Sequence, residues 1–271
     1  MGPTKRTLAI VALTTTLVSC SHQTLPATTP TIPVSPPRIY TTTAAQPLMA
    51  DLTLAYSESH PSSQFEVLSG NYQVMLDMLN KGEIAYFVTN HLPENPAWAA
   101  PIAQDGIAIV THPDIQLGNI TLEQLRNIYQ GNITNWSELG GADLAITVFS
   151  REAGSSTRVE FEQMVMGYRQ ITRNALMASS SEQIVDRVAG QLGGIGYVSM
   201  GYLDRRVQTL SINDSLPSMP NIYDGIYPLR STVYVVGLVE PDGIDRHFIG
   251  WIQSPEGQSV VQRRYAPIIL H

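Results

Sequence analysis

The chain has 271 residues, of which 43% are hydrophobic and 14% charged, and it carries a formal net charge of −7. That length and apolar content exclude a disordered chain and suit one large domain or two small lobes. The acidic balance excludes nucleic acid as the main partner, because no basic excess exists to neutralise a phosphate backbone.

In chain order, the first 20 residues read as a secretory signal. Lys5 and Arg6 give a positive start with no acid before position 20, and residues 7–18 form a moderately apolar run too short to span a bilayer. The run closes on Leu17-Val18-Ser19-Cys20, which resembles the bacterial lipobox. In that pattern the cysteine is lipidated and becomes the first mature residue. Cys20 is the single cysteine, so no disulfide forms within the chain. Arg6 breaks the frame for N-myristoylation. Residues 21–37, rich in Pro and Thr, form an extended, semi-rigid spacer that reaches about 50 Å. The expectation is an extracytoplasmic protein held to the bacterial membrane by a lipid at Cys20.

From Arg38 onward short apolar runs alternate with helical patterns, the mark of α/β architecture. A strand, a Thr-rich turn at Thr42-Thr43 and a helix that stops before His60-Pro61 come first. A second strand over 65–68 leads through the turn Ser69-Gly70-Asn71 into a helix whose apolar stripe is Val74, Met75, Met78 and Leu79, closed by Lys81-Gly82. Two strand patterns follow, over 83–90 and 102–114. Thr121 and Gln124 stand at capping-box spacing ahead of a core face of Leu122, Leu125 and Ile128, with Gly131 as the stop. A strand over 143–150 runs into Ser150-Arg151-Glu152-Ala153-Gly154-Ser155-Ser156-Thr157-Arg158. A capped helix over 179–191, a Gly-flanked strand over 193–200, a β-branched strand over 227–239 and two helices around Ser254-Pro255 complete the chain.

The Gly-Ser-Ser-Thr turn admits three readings. As a nucleophile site it lacks partners: there is no Gly-x-Ser-x-Gly elbow, no Ser-x-x-Lys pair and no histidine nearby to act as base. As a metal site the chain offers only His112-Pro113-Asp114, whose local geometry makes a turn, and no zinc-like spacing. As an anion cradle it fits, because a strand-to-helix turn exposes backbone N–H groups at the positive end of a helix. Gly154 would let the backbone approach the ligand, Ser155, Ser156 and Thr157 add hydroxyls, and Arg151 adds a two-pronged charged contact. A plain cap is the alternative, with Thr157 and Glu160 forming a capping box and the arginines facing water.

Arg151-x-x-Gly154-Ser155-Ser156-Thr157 resembles the Arg-x-x-Gly-Ser-Gly-Thr signature of periplasmic phosphate-binding proteins of ABC transporters. The segments over 118–141, 190–203, 227–236 and 254–268 are similar to that family's later landmarks, in the same order. The resemblance implies an α/β, two-lobed periplasmic-binding-protein-like fold of type II, with a hinge and a cleft between lobes. One lobe would comprise 38–112 plus 225–271 and the other 113–224. It implies a monomer that binds inorganic phosphate or a similar oxyanion, hands it to an ABC permease, needs no cofactor or metal and catalyses no reaction. The ligand residues carried over are Thr42, Thr43, Asn71, Arg151, Gly154, Ser155, Ser156 and Thr157. An Arg151→Ala change is expected to abolish binding and leave the melting temperature nearly unaltered. The family's segment Gly-x-Ala-Asp-Ile-Gly-x-Ser-Ser-Arg reads Gly82 to His91 here, with Ala85 for the aspartate that reads the proton of phosphate and His91 for the arginine. Those two departures, with bulky Tyr72 after the Ser69-Gly70-Asn71 turn, motivate an alternative, a non-transporting sensor or adhesion module that keeps the fold with weak or no affinity for phosphate.

Overall fold

Alternating patterns of period two and period 3.6 from residue 38 onward require a sheet with helices packed on it, and the computed structural model has that form. It describes residues 1–2, 36–61 and 63–268. The signal, Cys20 and nearly all of the 21–37 spacer lie outside the described residues. Residues from Pro36 onward form one compact unit.

The strands are β1 (Arg38–Thr42), β2 (Glu66–Gly70), β3 (Tyr86–Thr89), β4 (Trp98–Thr111), β5 (Asn119–Ile120), β6 (Thr147–Arg151), β7 (Leu176–Ala178), β8 (Gly194–Ser199), β9 (Gln208–Ile212) and β10 (Arg230–Gly237). The helices are α1 (Gln46–Ser59), α2 (Tyr72–Asn80), α3 (Leu122–Gln130), α4 (Ser156–Phe161), α5 (Ser181–Ala189), α6 (Met219–Tyr223), α7 (Gly243–Ile252) and α8 (Pro255–Val261). The strands join in the order β2-β1-β3-β10-β4-β8-β6-β7, with β9 pairing both β4 and β5. β1 is parallel to β2 and β3, and β6 is parallel to β7 and β8. In such sheets ligands sit beyond the carboxyl ends of the strands.

β4 is the spine. Its first part pairs β10 as far as Gly106, and its last part pairs β8 from Ile107 onward. The apolar side chains change partners at the same place. Ala100, Ile102 and Ala103 pack with Leu48, Met49, Leu52, Val233, Val235 and Phe248, whereas Ile107 and Ile109 pack with Leu125, Ile128, Trp136, Phe161 and Tyr197. On the opposite sheet faces, Tyr72, Met75, Leu79, Ile84, Phe87 and Val236 form one layer, and Ala108, Val110, Phe149, Ile184 and Val188 another.

Local signals explain most element ends. Thr121 and Gln124 form the expected capping box, and α3 stops at Gly131, whose φ of 81° needs no Cβ penalty. Ser180, Ser218 and Ser254 cap α5, α6 and α8. Three expectations shift. β2 runs on to Gly70, so Asn71 is the cap of α2 and not part of a turn. Val74, assigned to the apolar stripe of α2, is 54% exposed, and Tyr72 takes its place in the core. The helix expected after the Gly-Ser-Ser-Thr turn is α4 followed by a π-helical turn over Glu162–Met166.

Candidate functional site

At the carboxyl end of β1 the chain passes through a short 3-10 turn over Thr43–Ala45 into α1. Neither Thr42 nor Ala45 caps these starts with a side chain. Six of the other helices have such a cap, and the remaining uncapped start, at Asp242 before α7, is exposed to water. The start after β1 is buried, with Thr42 2% exposed and Ala44 and Ala45 1% each. The N–H groups of this largely buried start have no side-chain cap, which makes the position a donor site for an anion.

Two more polar groups share this end of the sheet. Thr42 Oγ1 is buried with no hydrogen-bond partner, and so are both amide atoms of Asn90, which is 1% exposed. Tyr40 and Thr41 of β1 lie opposite Phe87 and Val88 of β3. Carrying that register forward sets Asn90, just past β3, level with Thr43. Residues 88 and 90 share one sheet face, and Val88 packs with Leu48 and Met49 of α1, so Asn90 belongs to the face that carries the start of α1.

The other side of the site is built by β6 and α4. β6 is held at its end by the Tyr197 hydroxyl, which accepts from Arg151 N at 3.1 Å and shares a hydrogen bond with Ser150 Oγ at 2.8 Å. Burial pushes that phenol up to about 12, so it stays neutral. Ser155 caps α4 by accepting from Arg158 N at 3.4 Å. The expected Thr157–Glu160 capping box is therefore not formed: Thr157 Oγ1 is buried without a partner, and Glu160 bonds elsewhere. Arg158 is not simply in water either, since it donates to Arg151 O at 3.0 Å and to Glu162 at 2.8 Å.

Arg151 is only 2% exposed. Its Nε and Nη2 donate to the two oxygens of Glu152 at 2.8 and 3.0 Å, Nη1 donates to Ser181 Oγ at 3.0 Å, and Nη2 also donates to Thr43 Oγ1 at 3.0 Å. The two-pronged face expected to meet the ligand is thus turned to Glu152. Four of the five guanidinium protons have partners, leaving one on Nη1. The geometry argues against the expectation that Arg151→Ala would spare stability, because a buried cation with a bidentate carboxylate partner is part of the packing.

Three of the expected ligand residues instead join the two sides. Asn71 accepts from Gln73 N at 3.0 Å and donates through Nδ2 to Glu152 Oε1 and to Ala153 O, each at 3.0 Å. Gln73 N also donates to Gly154 O at 3.1 Å. Gly154 has a φ of 78°, and a Cβ there would stand 2.6 Å from Asn71 Oδ1 and 2.9 Å from Gln73 Cβ. Its missing side chain admits the start of α2, a role that differs from close approach to the ligand. Thr43 links across to Ser181 at 3.4 Å, and Tyr202 OH donates to Thr43 O at 2.5 Å. His91 Nδ1 lies 2.6 Å from Glu160 Oε1 with both side chains about 15% exposed, and its ring meets Tyr72 edge-on.

Sequence reasoning missed Asn90, Ser181, Glu152 and Tyr202. Ala85, which stands for the family's aspartate in the resemblance, lies apart from these groups. Ala85 is exposed and precedes β3, at the end of the strand away from the site, where it borders an apolar cavity of about 80 Å³ with Tyr86 and Phe248. The parallel pairing of β1 and β3 was the available signal, since it places residue 90 and not residue 85 at the ligand end.

No cluster of His, Cys, Asp or Glu among the described residues could hold a metal ion, and no helix among them is long and apolar enough to cross a membrane. His112-Pro113-Asp114 forms a turn closed by Asp114 N donating to His112 Nδ1 at 3.2 Å.

Among proteins of known sequence, the chain is similar to the phosphate-binding protein PstS of Bacillus subtilis, 26% identical over 235 residues that cover 83% of this chain and 78% of that protein. Among solved structures it superposes on a putative phosphate ABC transporter substrate-binding protein with bound phosphate from Clostridium perfringens, with a TM-score of 0.81 and 27% identity over 86% of this chain and 99% of that one. An ABC-type phosphate transport receptor from Vibrio cholerae matches with a TM-score of 0.68 and 27% identity over 85% and 99% of the two chains. The architecture is the two-lobed, type II periplasmic-binding-protein fold. Residues 27–256 match the family described as the PBP superfamily domain, and the chain belongs to that superfamily.

Proposed function

We propose that this chain is an extracytoplasmic substrate-binding protein that captures phosphate or a related oxyanion in its cleft and delivers it to an ABC importer. The observation that carries the reading is a buried, uncapped helix start flanked by the partnerless Thr42 Oγ1 and Asn90 amide, with Arg151 bonded to Thr43 from the opposite side. These groups supply donors in a site shielded from water, where each is worth more than on the surface. Thr42, Thr43, Ser156, Thr157 and the free proton of Arg151 are the ligand contacts in this reading. Asn71, Gly154 and Ser155 serve it indirectly, by docking the lobes and capping α4. The relatives are binding proteins, and the same role is assigned here without a catalytic step.

We place the lobe boundary at 104–106 and 230–232, where the core side chains of β4 and β10 change partners. Closure about those two strands brings Thr43 and Asn71 onto Arg151 and the 152–154 turn. Calorimetric titration of phosphate into the purified chain tests the reading, with a dissociation constant in the micromolar range or below expected. No heat from phosphate or sulfate below millimolar concentration would overturn it. A lipid at Cys20 as the membrane anchor predicts that Cys20→Ala releases the protein into the soluble fraction; retention in the membrane fraction would refute the anchor.

A further inference from the structure

Asp105 is completely buried on β4, within the boundary between the lobes. Its Oδ1 accepts from Met200 N at 3.2 Å, and its Oδ2 has no partner. Ser199, at the end of β8, supplies the side-chain contact to this carboxyl, and among the described residues no basic side chain acts on it directly. Ser231 lies opposite on β10 with its own hydroxyl buried and unpartnered. Two phenols face the carboxyl from other elements, Tyr227 and Tyr265, and burial pushes both up, so they stay neutral. Tyr227 OH donates to Ile107 O at 2.8 Å. Tyr202 and Arg264 stand beyond Tyr265; burial keeps Tyr202 neutral as well, and Arg264 is paired with Asp51 at 2.8 Å.

The hydroxyls that lead away from Asp105 carry one proton each, and the hydrogen bonds show where each proton goes. Tyr265 OH donates to Ala44 O at 3.3 Å, which spends its proton. Ser199 Oγ donates to Tyr265 OH at 3.4 Å, which spends the second. Ser199 therefore meets Asp105 as an acceptor, and that contact needs a proton on the carboxyl. Burial favours the same state, since it pushes the group up to about 7. A Cβ on Gly201 would collide with the Tyr265 hydroxyl, so this glycine leaves the relay its path. The relay ends at the Thr43–Ala45 turn, which leads into α1 without a side-chain cap. With Tyr202 donating to Thr43 O, the bond from Tyr265 to Ala44 O fixes a second successive peptide plane of the turn, and with it the direction in which the turn offers its N–H groups.

We propose that the proton on Asp105, relayed through Ser199 and Tyr265, holds the Thr43–Ala45 turn in its anion-binding form, so that the chain binds oxyanions tightly only while Asp105 is un-ionised. This rests on the oxyanion-binding reading given above. Asp105 touches no ligand and acts as a positioning residue. When its proton leaves to solvent the relay reverses: Ser199 donates to the carboxylate, Tyr265 donates to Ser199, and Ala44 O loses its donor. Ser231, unpartnered while the acid keeps its proton, is a second donor for the ionised form. Both bonds to the carboxylate are charge-assisted, which favours the reversed arrangement once the proton is gone. Anion binding and ionisation of Asp105 thus oppose one another, and affinity falls as pH rises through the range in which Asp105 ionises. An asparagine keeps the relay closed at every pH, because its amide N–H donates where the acid O–H did.

The test is calorimetric titration of inorganic phosphate into the full chain and into Asp105→Asn at pH 6 and pH 8. Phosphate loses a proton of its own in this range, so each affinity is read as a ratio between the two proteins at one pH. The two are expected to agree within about threefold at pH 6, and the native chain to bind about tenfold more weakly than Asp105→Asn at pH 8, the loss when the competent fraction falls to about a tenth. A ratio constant within about twofold overturns the proposal. Tyr265→Phe removes the middle link and is expected to bind about three- to tenfold more weakly than the native chain at pH 6, with no further loss against Asp105→Asn at pH 8. A Tyr265→Phe protein that keeps the native pH profile overturns the proposal too. One arm needs no variant to fold: infrared difference spectra of the native chain at pH 7 should show the C=O stretch of an un-ionised carboxyl growing as phosphate is added, and no growth overturns the proposal. Phosphate binding with a constant ratio leaves the functional reading standing and removes this inference alone. Failure of phosphate to bind at either pH removes both.

Discussion

Gly154→Ala isolates the contact between the lobes from the contact with the anion. A Cβ at this position meets Asn71 Oδ1 at 2.6 Å and Gln73 Cβ at 2.9 Å, both from the opposite lobe. The φ of 78° adds about 1–2 kcal/mol of left-handed strain for an alanine, and this burdens the open and closed states alike. The collision acts only on closure. It displaces the Asn71 contacts to Glu152 and Ala153 and the Gln73 contact to Gly154. Two neutral hydrogen bonds at about 0.5–1.5 kcal/mol each and one to a carboxylate at about 1.5–3 kcal/mol bound the loss. Taking the middle of that range with partial relaxation gives about 3 kcal/mol, roughly two orders of magnitude in phosphate affinity. Calorimetry measures the affinity, and small-angle scattering with and without phosphate measures whether the lobes still close. In an Asn71→Ala background most of the penalty should vanish, because the first obstacle and its hydrogen bonds are already gone. Binding within threefold of the parent, or an equal loss in both backgrounds, would refute the closure role.

Other outcomes follow from the same geometry. Arg151→Ala should abolish measurable phosphate binding and also lower the melting temperature by about 6–12 °C, the effect of about 3 kcal/mol in a unit of this size when Glu152 loses its buried partner; thermal scanning checks it, and an unshifted transition would contradict the buried-pair account. Glu160→Gln should weaken phosphate binding by about three- to tenfold through the lost His91 contact across the cleft, measured by calorimetry, with little change in melting temperature. Asp105, fully buried on β4 with Met200 N at 3.2 Å, is pushed up to about 7 by burial. The unfolded chain ionises it near 4, so the group's contribution is full below that pH and is lost as pH rises towards 7. Asp105→Asn should therefore gain stability relative to the parent between pH 4 and pH 8, by roughly 3–4 kcal/mol, read by denaturant melts at both pH values; a pH-independent difference would show that folding leaves the ionisation of Asp105 where it is in the unfolded chain.

Much of the architecture was legible because it is written in short-range rules. The Thr121–Gln124 box, the stop at Gly131, the serine caps and the apolar periods each act over a few residues, and the structure keeps them. The strand-turn-helix at Ser150–Arg158 was equally visible. What could not be read was the direction of side chains that meet partners far away in the chain. Arg151 turns its fork to its neighbour Glu152 because Thr43 and Ser181 fix the guanidinium from two other elements, and nothing near residue 151 announces them. Glu160 has the spacing of a capping residue and yet bonds His91, 69 residues upstream. Ala85 drew attention as a departure from a motif, although a motif position carries meaning only once the strand's direction relative to its neighbours is known. Asn90 falls at the end of the strand pattern over 83–90, and its importance appears only when burial and lack of partners are seen together.

The path of β4 and β10 also sets an order of events in biosynthesis. The half of the molecule built on Ile107 and Ile109 draws its core, Ala266 apart, from one stretch ending at Leu229, so most of its packing can form as soon as that stretch exists. The other half cannot. β3 takes β1 on one side and β10 on the other, and the core around Leu48 and Ala103 is closed by Val233, Phe248 and Val261 from the far end of the chain. Until those late residues arrive, β3 and the first part of β4 each expose an unpaired edge, the kind of template on which chains aggregate. Joining partners so distant in sequence is slow. The lobe whose translation begins first is therefore the lobe that folds last, and the interval between is when the polypeptide most needs a chaperone's protection.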